Sequence, residues 1–130
     1  MNERLSLISE LIQLAKRDNQ LQENELGFIK AVSESLGISD QQLVDLFENP
    51  VAFDPPVNDA ERILQFHRLV LLMNVDRTIT ESEMEYVRLA GLKLGLNPLA
   101  TNEVLERMYD YPNNVIPPDE LIKIFMRHHN

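Results

Sequence analysis

The chain of 130 residues is predicted to be all-α, with about seven helices arranged as two pseudo-two-fold related helical repeats plus a C-terminal helix. Three observations carry this expectation. Apolar residues recur at helical spacing in segments of helical length, and no segment alternates apolar and polar residues as a half-buried strand does. Residues 18–38, DNQLQENELGFIKAVSESLGI, return as residues 76–96, DRTITESEMEYVRLAGLKLGL, at an offset of 58. At that offset Asp18 matches Asp76, Glu25 matches Glu83 and Gly37 matches Gly95, while Leu21/Ile79, Phe28/Tyr86 and Ile29/Val87 are conservative pairs.

Leu5, Ile8, Leu11, Ile12 and Ala15 make residues 2–17 an amphipathic first helix, ended by Lys16 and Arg17, cations suited to the negative pole of a helix. A polar turn follows over 18–22, with Leu21 as its apolar plug. The second helix is predicted over 23–36, with Leu26, Ile29, Val32, Ser33 and Leu36 inward. Gly37 stops it, because glycine enters the left-handed conformation without strain, and Ile38 folds back on the last turn. Ser39 and Gln42 form a capping-box pair opening a short third helix, 40–47.

Residues 49–57, NPVAFDPPV, carry three prolines and link the halves. Asn58 caps the fourth helix, whose inner positions Ile63, Phe66, Leu69, Val70 and Met73 match those of the first at the same offset. Leu64, Leu71 and Leu72 give it further apolar faces, so it is expected to be the central, most buried helix. Thr80 and Glu83 form the capping box of a fifth helix, 81–94, stopped by Gly95. Asn97 and Pro98 start a sixth, about 99–109. There the offset becomes 62, pairing Leu43 with Leu105 and Pro50 with Pro112, which places four extra residues between the fifth and sixth helices. A second proline-bearing linker, 111–117, leads to a last helix opened by Pro118, with Leu121, Ile122, Ile124 and Phe125 to bury. Gly27 and Gly91 lie inside helices, where glycine costs about 1 kcal/mol relative to alanine, which points to close approach of a neighbouring helix. One domain of residues 1–130 is expected: repeat one about 1–50, the linker 49–57, repeat two about 58–112 and the C-terminal helix 118–127.

Composition narrows the function classes. The chain has no cysteine, which excludes disulfides, thiol catalysis and cysteine-ligated metals. A formal net charge of −9 repels phosphate backbones and anionic lipid. Nucleic acid is therefore not an expected partner, whereas metal cations and basic protein patches are. The longest apolar run, residues 69–73, falls far short of the ~20 residues a membrane span needs, and the N-terminus has no continuous apolar signal core. The expectation is a soluble, cytoplasmic protein without direct membrane insertion. No Gly-rich phosphate loop, H-E-x-x-H or G-x-S-x-G is present, and no catalytic residue is assigned.

The candidate metal ligands are Asp18, Glu25, Asp76 and Glu83. Each turn reads Asp, an aliphatic three residues on, and Glu four beyond that, the spacing of the second half of an EF-hand calcium loop. An EF-hand loop in that register would begin at Leu14 and Leu72, which cannot ligate, and Asn19 and Arg77 stand where its glycine belongs. Two readings remain open. The acids are helix-start groups that accept backbone N–H bonds, Glu83 being the capping partner of Thr80 and Glu25 its equivalent. Or they hold calcium or another divalent cation, one per turn or one shared where the turns meet. His67 reads as a boundary residue, and His128 and His129 as a frayed tail.

The motifs DNQLQENELGF and DRTITESEMEY, each in a helical repeat with a Leu-Gly-aliphatic end, resemble the TerB family of tellurite-resistance-associated proteins and TerB-like domains. The resemblance covers about residues 1–109. It implies an all-helical fold, no enzymatic activity, an association with stress response, and metal binding through Asp18, Glu25, Asp76 and Glu83. Where the family often has Asp-Gly, this chain has Asp18-Asn19 and Asp76-Arg77, so the first turn is the better-equipped copy. The expected function is a non-enzymatic acidic interaction module that binds a protein partner. Its acidic face or a groove between the halves would make the contact. The alternative is a divalent-cation binding or sensing domain. A carboxylate-based enzyme would require a cleft with two facing carboxylates of raised pKa.

Overall fold

The computed structural model describes residues 2–17, 21–75 and 79–128. Seven α-helices follow one another: α1 (Asn2–Ala15), α2 (Glu23–Ser35), α3 (Asp40–Glu48), α4 (Asp59–Met73), α5 (Glu81–Lys93), α6 (Pro98–Arg107) and α7 (Pro118–Arg127). Two single 3₁₀ turns, Met108–Asp110 and Pro112–Asn114, join α6 to α7. No strand occurs among the described residues.

The helix boundaries follow local chemistry. Ser39 Oγ accepts the Gln42 N–H at 3.2 Å and Gln42 Oε1 accepts the Ser39 N–H at 2.9 Å, a reciprocal capping box. Asn58 Oδ1 takes the Ala60 and Glu61 N–H groups, and Asn97 Oδ1 takes that of Leu99. Gly37 and Gly95 have φ of 76° and 78°. The chain then turns back so that Ile38 N–H reaches Ser33 O at 2.9 Å and Leu96 N–H reaches Gly91 O at 3.0 Å, satisfying carbonyls that would otherwise be orphaned.

Sequence reasoning placed α4 alone at the centre; α1 shares that place. Nine of the ten residues from Ser6 to Ala15 are buried, only Gln13 being exposed. Helices α2, α3, α4 and α5 all pack on α1, and the proline-rich linker lies across it as well. Ser9 Oγ accepts the Val51 N–H at 3.1 Å and Ser6 Oγ accepts the Asp54 N–H at 2.8 Å, so two buried serines of α1 satisfy backbone donors of the linker. Phe66 of α4 and Phe125 of α7 meet edge to face at 6.2 Å between centroids, which fixes the last helix on the core.

Three further expectations are corrected. The inter-helix segments 36–39 and 94–97 are equal in length, and the N-caps Ser39 and Asn97 keep the offset of 58. No residues are inserted between α5 and α6, and α6 is only one residue longer than α3. Leu26 and Ile122, expected inward, are 40% and 49% exposed, Ile122 because it lines an open groove between α4 and α7 rather than packing into the core. Gly91 does face a neighbour, since a Cβ there would meet Thr101 Cγ2 at 3.0 Å and Phe66 Cε1 at 3.3 Å, but Gly27 faces open space.

Candidate functional site

Asp18 and Asp76 lie outside the described residues. Their partners Glu25 and Glu83 occupy equivalent positions in the first turns of α2 and α5, and both are buried. Glu25 Oε1 accepts the Gln22 N–H at 2.8 Å, and Glu83 Oε1 accepts the Thr80 N–H at 3.0 Å while Thr80 Oγ1 accepts the Glu83 N–H at 3.1 Å. This is the helix-start chemistry that the spacing allows. Among the described residues no three acidic or histidine side chains gather into a metal cluster.

The segments flanking the two turns are held together. Arg17 Nε donates to Ser82 Oγ at 3.1 Å, and Asn24 Nδ2 donates to Val75 O at 3.3 Å. At the offset of 58, Val75 is the counterpart of Arg17 and Ser82 the counterpart of Asn24. The two bonds thus join the same pair of sequence positions read in opposite directions. Arg17 also lies 5.2 Å over the Tyr86 ring.

A polar chain crosses the contact between α1 and α4. Gln65 Nε2 donates to Leu7 O at 3.1 Å and to Glu10 Oε1 at 3.4 Å, and Arg68 Nη1 donates to Gln65 Oε1 at 3.4 Å. Glu10 and Arg68 are again counterparts at the offset of 58, here with opposite charge. Glu10 Oε2 has no hydrogen-bond partner among the described residues and lies 3.9 Å from Lys93 Nζ. Burial pushes the Glu10 carboxyl up to about 7, against the opposing pull of Lys93 and Gln65. The Tyr86 hydroxyl, which donates to Glu10 O at 3.4 Å, is pushed up to about 12 by burial and the Glu10 charge.

A groove of about 390 Å³ lies between α4 and α7. Ile63, Leu64 and His67 form one wall, and Pro118, Leu121 and Ile122 the other. Leu64 is 40% exposed, leaving the apolar lining open to solvent. Burial, then the nearby Arg68, lowers the His67 pKa, so the imidazole is neutral at physiological pH and the groove carries no charge on its walls.

His128 is no frayed tail. Its ring Nε2 lies 2.7 Å from Glu103 Oε1, its carbonyl accepts from Asn97 Nδ2 at 2.7 Å, and Arg107 and Arg127 also bind the Glu103 carboxylate. His128 first, then Arg107, hold that carboxylate at about 2. His129 lies outside the described residues. Sequence reasoning missed this cluster, the Gln65 chain and a pair of arginines over the helix stops. Arg4 lies over Gly37 and Arg62 over Gly95, with Nη1 at 3.2 and 3.0 Å from where a Cβ would stand. The signal for that pair was present, since Arg4 and Arg62 also stand 58 apart.

Compared with family models, curated proteins and solved structures, the chain finds no match. The TerB likeness therefore rests on the two turn-and-helix motifs alone.

Proposed function

We propose that this chain is a non-enzymatic helical interaction module, acidic and TerB-like, whose partner is a protein. The observation that carries the proposal is the α4–α7 groove, an uncharged apolar cleft with Leu64 and Ile122 open to solvent on a chain of net charge −9. Glu10 is a buried carboxylate of raised pKa, and among the described residues it faces Lys93 and Gln65. Photo-crosslinking tests the module. A benzophenone side chain at position 64 or 122 is expected to give one dominant protein adduct in cells, and the same probe at exposed Val44 on α3 none. Adducts of equal yield from all three positions would remove the groove as a binding surface.

A second reading has its own support. The reciprocal bonds Arg17–Ser82 and Asn24–Val75 hold the flanks of the two acidic turns together, which favours a cation bound at or between them. Glu25 and Glu83 would supply carboxylate oxygens beside Asp18 and Asp76, for a hard cation such as calcium. A melting curve with calcium, magnesium, manganese or chelator tests it. Ligand at 100 times its Kd stabilises by about 2.7 kcal/mol, so an unchanged Tm at millimolar ion sinks the cation reading. Asp18→Asn should reduce any shift more than Asp76→Asn, because Arg77 places a cation in the second turn.

A further inference from the structure

We infer that a second groove, between α1 and α5, binds a small organic dianion, two carboxylates joined by an apolar chain. The groove holds about 180 Å³ and is lined by Arg17, just past the end of α1, and by Tyr86, Leu89, Ala90 and Lys93 of α5. On a chain of net charge −9 its lining carries two cations and, among the described residues, no acid. The two cations stand at opposite ends. Arg17 meets Ser82 and Tyr86, whereas Lys93 follows Tyr86 by seven residues, about 10 Å at 1.5 Å per residue. Leu89 and Ala90 come three and four residues after Tyr86, on its face of the helix, and Leu89 is 48% exposed. The floor is therefore apolar and the ends are positive.

Neither cation is used up by its neighbours. Arg17 lies 5.2 Å over the Tyr86 ring, and its hydrogen bond to Ser82 Oγ leaves from Nε. Both partners are neutral, and the guanidinium forms no ion pair among the described residues. The Lys93 ammonium lies 4.5 Å over the Phe53 ring. Glu10 Oε2, 3.9 Å from that ammonium, has no hydrogen-bond partner among the described residues, so the N–H donors of Lys93 are not spent on it. An aromatic face holds a cation in place and leaves its outer donors free. Each end can thus offer a charge-assisted hydrogen bond to a carboxylate. Glu10 competes for Lys93 as a charge, but burial raises its carboxyl to about 7, which leaves that competition incomplete at neutral pH.

The test uses the full chain, labelled with nitrogen-15, and three sodium salts at one ionic strength: octanedioate, octanoate and propanedioate. Octanedioate is long enough to reach both cations. Octanoate carries one carboxylate on the same chain, and propanedioate carries two without the apolar spacer. NMR titration should show saturable shifts of the Leu89 and Ala90 amides and of the Arg17 Nε–H. Octanedioate should bind at least about fivefold tighter than either other salt, the gain of one further exposed ion pair. Lys93→Gln and Arg17→Gln should each reduce octanedioate to the level of octanoate. Both positions are exposed, and unchanged spectra away from the groove would show that the variants fold. Equal affinity for octanedioate and octanoate overturns the assignment, as do shifts that neither variant changes. Shifts that sodium chloride reproduces at the same ionic strength, or no shift with any salt, also overturn it. The module reading turns on positions 64 and 122, which this titration does not touch, so it stands or falls separately.

Discussion

Gln65 donates its side-chain amide to the backbone oxygen of Leu7 at 3.1 Å, and the two residues stand 58 apart, the offset at which the sequence of residues 18–38 returns. The same amide reaches Glu10 and its oxygen receives Arg68, so one buried glutamine joins counterparts of opposite charge across the α1–α4 contact.

Gln65→Leu should therefore destabilise the fold although it adds an apolar side chain to a fully buried site. The change leaves Glu10 and Arg68 without the amide between them, and an orphaned buried polar group costs about 1–3 kcal/mol. Urea denaturation checks this; unchanged stability would show that water replaces the amide.

Glu10 gives stability a pH dependence of defined sign. Its carboxyl is raised from 4.5 to about 7 in the folded chain, so between those values the folded state binds more protons than the unfolded state. Stability from this group is greatest below about 4.5 and falls as pH rises to about 7, by an amount on the order of 3 kcal/mol. Glu10→Gln should flatten that slope and raise the Tm at pH 8. An identical slope in wild type and variant would assign the titration elsewhere.

The Glu103 cluster acts in the opposite direction. Its carboxylate is held down to about 2, so its contribution is present above the ordinary carboxylate range and is lost as pH falls from about 4.5 towards 2. Glu103→Gln should loosen the end of α7, seen as faster hydrogen exchange over residues 124–128, with the α1–α4 contact unaffected. Unchanged exchange there would mean that Phe125 alone holds the helix.

Two glycines separate close packing from plain conformational cost. Gly91→Ala should destabilise by about 1–3 kcal/mol, because its Cβ would press on Thr101 and Phe66. Gly27→Ala meets open space and should stabilise by up to about 1 kcal/mol. Thermal melts of the two variants that moved together would contradict this contrast.

The sequence by itself determined the all-α class, the seven helices and most of their ends. Those features depend on short-range physics: apolar spacing at 3.6 residues, a hydroxyl or amide at an N-cap, a glycine free to take positive φ at Gly37 and Gly95. The capping roles of Glu25 and Glu83 were legible for the same reason, since the partners of a capping box stand only three residues apart. What touches what across the chain was decided only in the tertiary structure. The linker over α1, the open space beside Gly27, the exposure of Ile122 and the meeting of Leu7 with Gln65 join residues up to 58 positions apart. The groove belongs to this second class. Leu64 and Ile122 look like core residues when each helix is taken alone, and it is the distance between α4 and α7 that leaves a cleft between them.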